Sequence, residues 1–437
     1  MNITRTARTR RPGFTLIEVL VAAGLCMLIM VVMTQAFAAG IDTFSVLKST
    51  GELQERLAVA GTVLQSDLAA THLENQVGEP LKVSAIRYDR IQTGEPAARP
   101  PHRGFFRLQQ EDLAVTTNVP EGNDPDGIPS SRATNHILHM TVKLPGTRQD
   151  RAFTANLTGA SAIVTASLSQ TSLINLEPSN LRYCSQWAEV AYFLNPTSTG
   201  TTAGGTPLFS LHRRIRVLTK NDDTGISWSG NQATAPGMSC SPVLPSKNLN
   251  GPGNITVPDN RLGTKTGIRT AAGIDDFAAL GTGDDILLSN VISFEIKANW
   301  DSGAWVSNAP GGSGNPAIFT TAPGSNEFPF DNLPEAPSVA AGSSQTVGMT
   351  TYTWPTGIAN NLFRRSIGTG LIRVFDTWSD RGQYGSWNNP ATVAGTVLNP
   401  NPNCVPLPIR LKAIQIKLRI YDPKNKLARQ ITLIQDM

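Results

Sequence analysis

An apolar run with one acid inside its first turn constrains this chain more than any other feature. Residues 16–39 are nearly all apolar, with Glu18, Thr34 and Gln35 as the polar exceptions. The run exceeds the ~20 residues that carry a helix across a bilayer. Arg5, Arg8, Arg10 and Arg11 precede it, and residues 1–13 hold no acid. A basic flank of this kind keeps the leader in the cytoplasm, so the bulk of the chain lies on the far side. A secretory signal also begins with a basic flank, but its apolar core is only roughly 7–15 residues and its cleavage site follows that core. Here the small residue, Gly13, precedes the run, and no Ala-x-Ala-like site follows Ala39 cleanly. An unpaired carboxylate costs roughly 2.5–3.5 kcal/mol at the centre of a membrane helix, so Glu18 asks for a specific role.

The 437 residues carry 37 basic and 33 acidic side chains. The four leader arginines are the whole difference, so the chain without its leader is formally neutral. Generic electrostatic attraction to nucleic acid is therefore not expected. Charged residues make up only 16%, while Gly and Pro number 38 and 30, which suits a loop-rich β protein outside the cytosol. Cys26 lies in the apolar run and reads as a small apolar filler. Cys184, Cys240 and Cys404 follow, an odd number, so at most one internal bridge forms. Cys184 with Cys240 is the first choice because both sit near strand ends; Cys184 with Cys404, or no bridge, are the alternatives.

After Ala39 the helix is expected to continue. Leu53, Leu57, Ala60, Leu64 and Leu68 recur at helical spacing on one face, while Glu52, Glu55, Arg56, Gln65 and Asp67 fall mainly elsewhere. A helix from residue 16 to about 72 would be roughly 80 Å long, so its first half must project and its second half should dock on a sheet. From about residue 80 the signals are β. Residues 136–144, 188–194, 208–218, 285–296 and 427–434 read as strands, and the Thr- and Gly-rich residues 195–206 read as a hairpin tip. In residues 409–420 the apolar phase slips at Ala413/Ile414, which predicts a β-bulge. Arg410, Lys412, Lys417 and Arg419 make the exposed face of that strand basic, as expected of a protected sheet edge. Residues 226–282 and 303–403 look inserted; 303–350 in particular is dominated by Gly, Pro, Ser, Asn and Thr.

Few residues suggest chemistry. His136 and His139 are three apart, which on a strand points them to opposite faces. Asp124-Pro125-Asp126-Gly127 resembles half of a calcium loop but lacks the later bidentate Glu. Asp275-Asp276 and Asp284-Asp285 flank a Gly-Thr-Gly turn, and Asp284 with Asp285 is the weak calcium candidate against a default of solvated turn acids and no metal. There is no Gly-x-Ser-x-Gly elbow, no phosphate-binding loop and no His-Glu-x-x-His, so no enzyme is expected and no cofactor beyond that calcium. The seven tryptophans read as core or lid packing.

Gly13-Phe14-Thr15-Leu16-Ile17-Glu18, set between a basic leader and an apolar helix, resembles the start of the type IV pilin and type II secretion pseudopilin family. The resemblance implies cleavage between Gly13 and Phe14 by a prepilin peptidase and N-methylation of Phe14. It also implies that the Glu18 carboxylate pairs with the Phe14 amine of a neighbouring subunit during assembly. Pairing would relieve two charges that are both penalised in lipid. Residues 53–68, 190–194, 208–214, 291–296 and 408–433 resemble segments of the J-class pseudopilins and PilW-type minor pilins, although this chain is longer than a typical J-class member. The expected fold is α+β and pilin-like. Residues 1–13 are the leader, 14–40 the membrane half of the helix, 41–75 its amphipathic half, and 76–437 a β-rich head. The implied protein is a single-pass subunit of the bacterial inner membrane with a periplasmic head. Its implied partners are the peptidase, other pilins or pseudopilins and the inner-membrane assembly platform. The implied role is a minor pseudopilin at or near a secretion pseudopilus tip. The alternatives are a minor pilin that initiates type IV pili, and a ligand-binding head on a pilin-type anchor.

Overall fold

One 54-residue helix and a ten-stranded antiparallel sheet account for the architecture in the computed structural model. The structure describes residues 13, 15–86, 101–111, 122–123, 129–130, 136–146, 151–156, 173–175, 181–195, 198–202, 205–220, 227–228, 237–240, 247–256, 260–261, 284–301, 330, 333, 344–347, 350–353, 365–367, 370–377, 392–393, 396–397 and 410–437. The chain separates into two units, Met1–Gln54 and Glu55–Met437, with the division inside the helix. The second unit is called the head below. This is the expected α+β, pilin-like arrangement of a long N-terminal helix and an antiparallel sheet.

Helix α1 runs over Leu16–Ala69. Its N-terminal part is long and apolar enough to cross a membrane. Leu53, Leu57, Ala60, Leu64 and Leu68 are all buried, as their spacing predicts. Within the head, Gly61 lies against the last strand: a Cβ there would sit 3.1 Å from Ile431 Cδ1. Asp67 departs from expectation. It stands three residues after Leu64, on the apolar face, and is buried with its neighbours.

Nine strands form the path of the main sheet. In chain order they are β1 (Phe106–Glu111), β2 (Ile137–Lys143), β3 (Trp187–Leu194), β4 (Pro207–Val217), β5 (Asp284–Asp301), β6 (Arg365–Ile367), β7 (Gly370–Asp376), β8 (Arg410–Asp422) and β9 (Leu427–Asp436). Their spatial order is β6-β7-β1-β2-β3-β4-β5-β8-β9, and a short strand, Gly200–Thr201, pairs off this path with β4. β3 and β4 form the expected hairpin, with Val190 opposite Ile215. The expected bulge in β8 falls one residue early. Asn299 faces Ala413 but Trp300 faces Leu411, so Lys412 is the extra residue. β8 is flanked by β5 and β9, so its basic residues do not guard an edge; the edge is β9. Arg365–Ile367 and Gly370–Asp376, inside the segment expected to be an insertion, supply β6 and β7. Most of residues 226–282 and 303–403 lies outside the described residues.

Every residue of β3 is buried, so this strand is covered on both faces. Tyr192 reaches α1 through Asp67. Glu189, three residues earlier, faces the other way and accepts a hydrogen bond from Ser239. Among the described residues, that second face is covered by 237–240, 247–256 and 260–261. Ile255 packs with Phe105, Trp187 and Leu218, and Gly104 N–H donates to the Pro252 carbonyl at 2.8 Å. Gly104 has φ +78, and a Cβ there would fall 2.0 Å from the His72 carbonyl oxygen, so no other residue fits.

Candidate functional site

The first turn of α1 is closed by its own side chains. Thr15 is the N-cap. Its N–H and its hydroxyl both donate to Glu18 Oε2, at 2.9 and 3.0 Å, and Glu18 N–H reaches back to Thr15 Oγ1 at 3.4 Å. This is a reciprocal capping box, which satisfies helix donors that would otherwise be orphaned. Thr-x-x-Glu was visible in the sequence as that signature, yet the role sought for Glu18 was intermolecular. Glu18 is exposed, so its carboxylate is accessible while capping. Gly13 is exposed too, and a Cβ there would meet nothing within 4 Å. Nothing in the fold requires glycine at this position. Phe14 and the leader arginines lie outside the described residues.

The candidates within the head are otherwise engaged. Arg214 binds Asp284 through both carboxylate oxygens, at 2.5 and 2.7 Å, and Arg216 lies 3.9 Å away. Register explains this: Arg214 stands directly opposite Asp284 across β4 and β5. A guanidinium thus occupies Asp284, while Asp285, the other weak calcium candidate, is exposed. Among the described residues no group of three or more His, Cys, Asp or Glu is placed to hold a metal. Asp124, Asp126, Asp275 and Asp276 lie outside the described residues.

Cys184 and Cys240, the first choice for a disulfide, are both buried. Different elements hold them: Cys184 pairs with Thr154 in a three-stranded sheet, whereas Cys240 bridges to Leu249 and its Sγ donates to the Met238 carbonyl at 3.8 Å. Burial pushes the Cys184 thiol above its ordinary pKa, which keeps it protonated and unreactive. Cys404 lies outside the described residues.

His136 and His139 do not converge. His136 Nδ1 accepts from Ile296 N–H at 2.8 Å, while His139 Nε2 meets Glu189 Oε1 at 2.7 Å. Ser239 donates to the other oxygen of Glu189 at 2.6 Å, and Asn250 donates to Ser239 at 3.0 Å. The serine hydroxyl is directed at the carboxylate and not at the imidazole. All four side chains are buried, so this chain of bonds reads as structural. Trp187 and Trp300 are core residues.

With this geometry in view, one comparison is decisive for the N-terminus. Residues 8–34 match the prokaryotic N-terminal methylation motif. No curated protein and no solved structure matches the chain. The methylation motif supports the type IV pilin and pseudopilin family, processing by prepilin peptidase and assembly with other pilins. It points to a membrane-anchored structural subunit rather than an enzyme. The motif contains Gly13, Thr15 and Glu18, so the cap and the open glycine both fall within it.

Beyond the methylation motif, three ion pairs that sequence reasoning missed fasten the head. Asp67 of α1 receives two hydrogen bonds from Arg213, each 2.8 Å, and one from the Tyr192 hydroxyl. Tyr192 and Arg213 are directly opposite each other across β3 and β4, so one carboxylate can reach both. Burial and the adjacent Asp67 charge push the Tyr192 phenol well above its ordinary pKa, so it remains a donor. Glu74 receives Lys143, with Arg103 at 3.5 Å. Arg261 meets Asp376 at 2.6 Å. The helical spacing of Asp67 from Leu64 was a usable signal; nothing local marked Arg261.

Three buried histidines give the head a pH dependence. Burial is the first cause holding His72, His139 and His212 below the ordinary 6.5, outweighing the carbonyls of Thr141 and Leu68 on His72 and the carboxylate of Glu189 on His139. Below about pH 6.5 the unfolded chain therefore binds more protons than the folded head, so stability falls as pH falls, by up to roughly 1.4 kcal/mol per pH unit for each histidine. Thermal unfolding of the full-length protein in detergent should show a lower Tm at pH 5.5 than at 7.5. His139→Gln should shrink that difference; an unchanged or reversed dependence would contradict the burial argument.

Proposed function

We propose that this chain is a minor pseudopilin, cut between Gly13 and Phe14 by prepilin peptidase, N-methylated on Phe14 and built into a type II secretion pseudopilus at or near its tip. The observation that carries the reading is the methylation motif over residues 8–34, with an exposed Glu18 at the start of a membrane-length helix. The helix anchors the subunit in the inner membrane and the head lies in the periplasm. Glu18 meets the Phe14 amine of a neighbouring subunit, an amine that is absent until the leader is cut. The position in the fibre follows from bulk. A head of 383 residues, counted over Glu55–Met437, is hard to repeat in a tightly packed shaft. The segments that resemble the J-class also resemble PilW-type minor pilins, so initiation of type IV pili is the second reading, and genomic neighbours separate the two.

N-terminal sequencing of the mature protein tests the reading. Cells with prepilin peptidase should yield a methylated Phe14 as the first residue, and cells without it should retain residues 1–13. Residue 14 still internal in peptidase-positive cells would overturn the proposal.

A further inference from the structure

The main sheet ends on β9, and β9 is an unusually open edge. Met437 N–H donates to the Lys412 carbonyl at 2.9 Å, continuing the register in which Asp436 faces Ala413. In an antiparallel ladder the hydrogen-bonded pairs alternate with pairs whose backbone groups point outward. Residues 427, 429, 431, 433 and 435 therefore bond to β8. The N–H and C=O groups of Ala428, Gln430, Thr432, Ile434 and Asp436 point away from the sheet. Among the described residues, only the Asp436 carbonyl is capped, by Gln435 Nε2 at 3.0 Å. Gln430, Thr432 and Ile434 are exposed, Ile434 to 56%.

Natural edges of this length are usually blunted by charge, proline or a bulge. β9 pairs with β8 without a register shift, contains no proline, and carries charge only at Arg429 and Asp436, near its two ends. Between them lie six uncharged residues, with Ile431 and Leu433 half-buried beside Gly61 of α1. A regular row of outward donors and acceptors is matched by only one kind of partner, another extended polypeptide backbone.

We propose that β9 accepts an added strand from a neighbouring subunit that is not a copy of this chain. Its centre is uncharged, with apolar side chains at alternate positions covering Ile431 and Leu433, an acid set against Arg429 and a base against Asp436. As a minor subunit at a fibre tip, the chain has other pilins as neighbours and not copies of itself. Antiparallel pairing with β9 of a second copy would also reverse residues 55–69 of one copy against the other, about a two-fold axis normal to the sheet. The source of the strand rests on the proposed function; the edge chemistry does not.

The test uses the full-length chain in cells, with a photo-crosslinking residue placed in turn at 430, 431, 432, 433 and 434. Strand addition requires that each step along β9 move the attachment by one residue along a single partner segment. Thr432→Pro removes an outward N–H and no ladder bond, and Ile434→Lys adds a charge to the edge. Each should cut crosslinking at least tenfold while leaving the Tm and leader removal unchanged. Attachments without register, crosslinks that survive both substitutions, attachment to β9 of a second copy, or none at all would overturn the proposal. Register-matched crosslinks on a chain whose leader is never removed would instead sink the proposed function and leave the edge standing.

Discussion

Replacing Arg261 with methionine is expected to destabilise the head by about 3–5 kcal/mol, the scale for breaking a buried ion pair by removing one partner. Arg261 and Asp376 are both fully excluded from solvent, 2.6 Å apart. Arg261 also donates to the Ile255 and Thr256 carbonyls, at 2.7 and 2.5 Å, and stacks 3.9 Å from the Phe105 ring centroid. One side chain thus joins residues 255–256 to the end of β7. Methionine fills similar volume but leaves the Asp376 carboxylate buried without its guanidinium. Adding Asp376→Leu should recover much of the loss, because the remaining penalty is a buried carboxylate that has lost its guanidinium and not missing volume. Lys48–Glu52 is the contrasting case: at 4.0 Å and largely exposed, its removal should change stability by at most about 0.5 kcal/mol. Chemical unfolding of the full-length protein in detergent measures all three. A loss under about 1 kcal/mol for Arg261→Met would show that the pair does not hold the segment.

Gly13→Val is expected to abolish leader removal completely while leaving the fold intact. The two outcomes separate because the structure places no demand on this glycine. Its surroundings are empty to 4 Å, and its φ is not in the left-handed region. Any intolerance of a side chain must then arise in the peptidase that receives it. Intact mass should show residues 1–13 retained in peptidase-positive cells, and the Tm should match the parent protein. Normal processing of Gly13→Val would remove glycine from the proposed recognition; a large drop in Tm would contradict the open surroundings.

Local rules were enough where local spacing sets the structure. The four-and-three recurrence of Leu53, Leu57, Ala60, Leu64 and Leu68 marked the buried face of α1. The phase slip at Ala413 marked the bulge to within one residue. Non-local pairings were not legible. Arg261 and Asp376 are 115 residues apart, and Asp284 reads as a turn acid until strand register sets it opposite Arg214. β7 was hidden because seven residues between Gly-, Pro- and Ser-rich stretches resemble loop, and only pairing with β6 and β1 makes them a strand. For the N-terminus the reverse held. Contiguous residues carried the motif, but its meaning lies in molecules this chain meets later.

The Thr15–Glu18 cap has a consequence for the timing of maturation. Both residues lie after the Gly13–Phe14 bond, so the structure that terminates the helix belongs wholly to the part that is kept. The proposed cut would change the charge of the subunit and create a new amine, while the Thr15–Glu18 hydrogen bonds would all stay in the part that is kept. Maturation as proposed would then deliver a change of charge to a helix start whose cap is already in place.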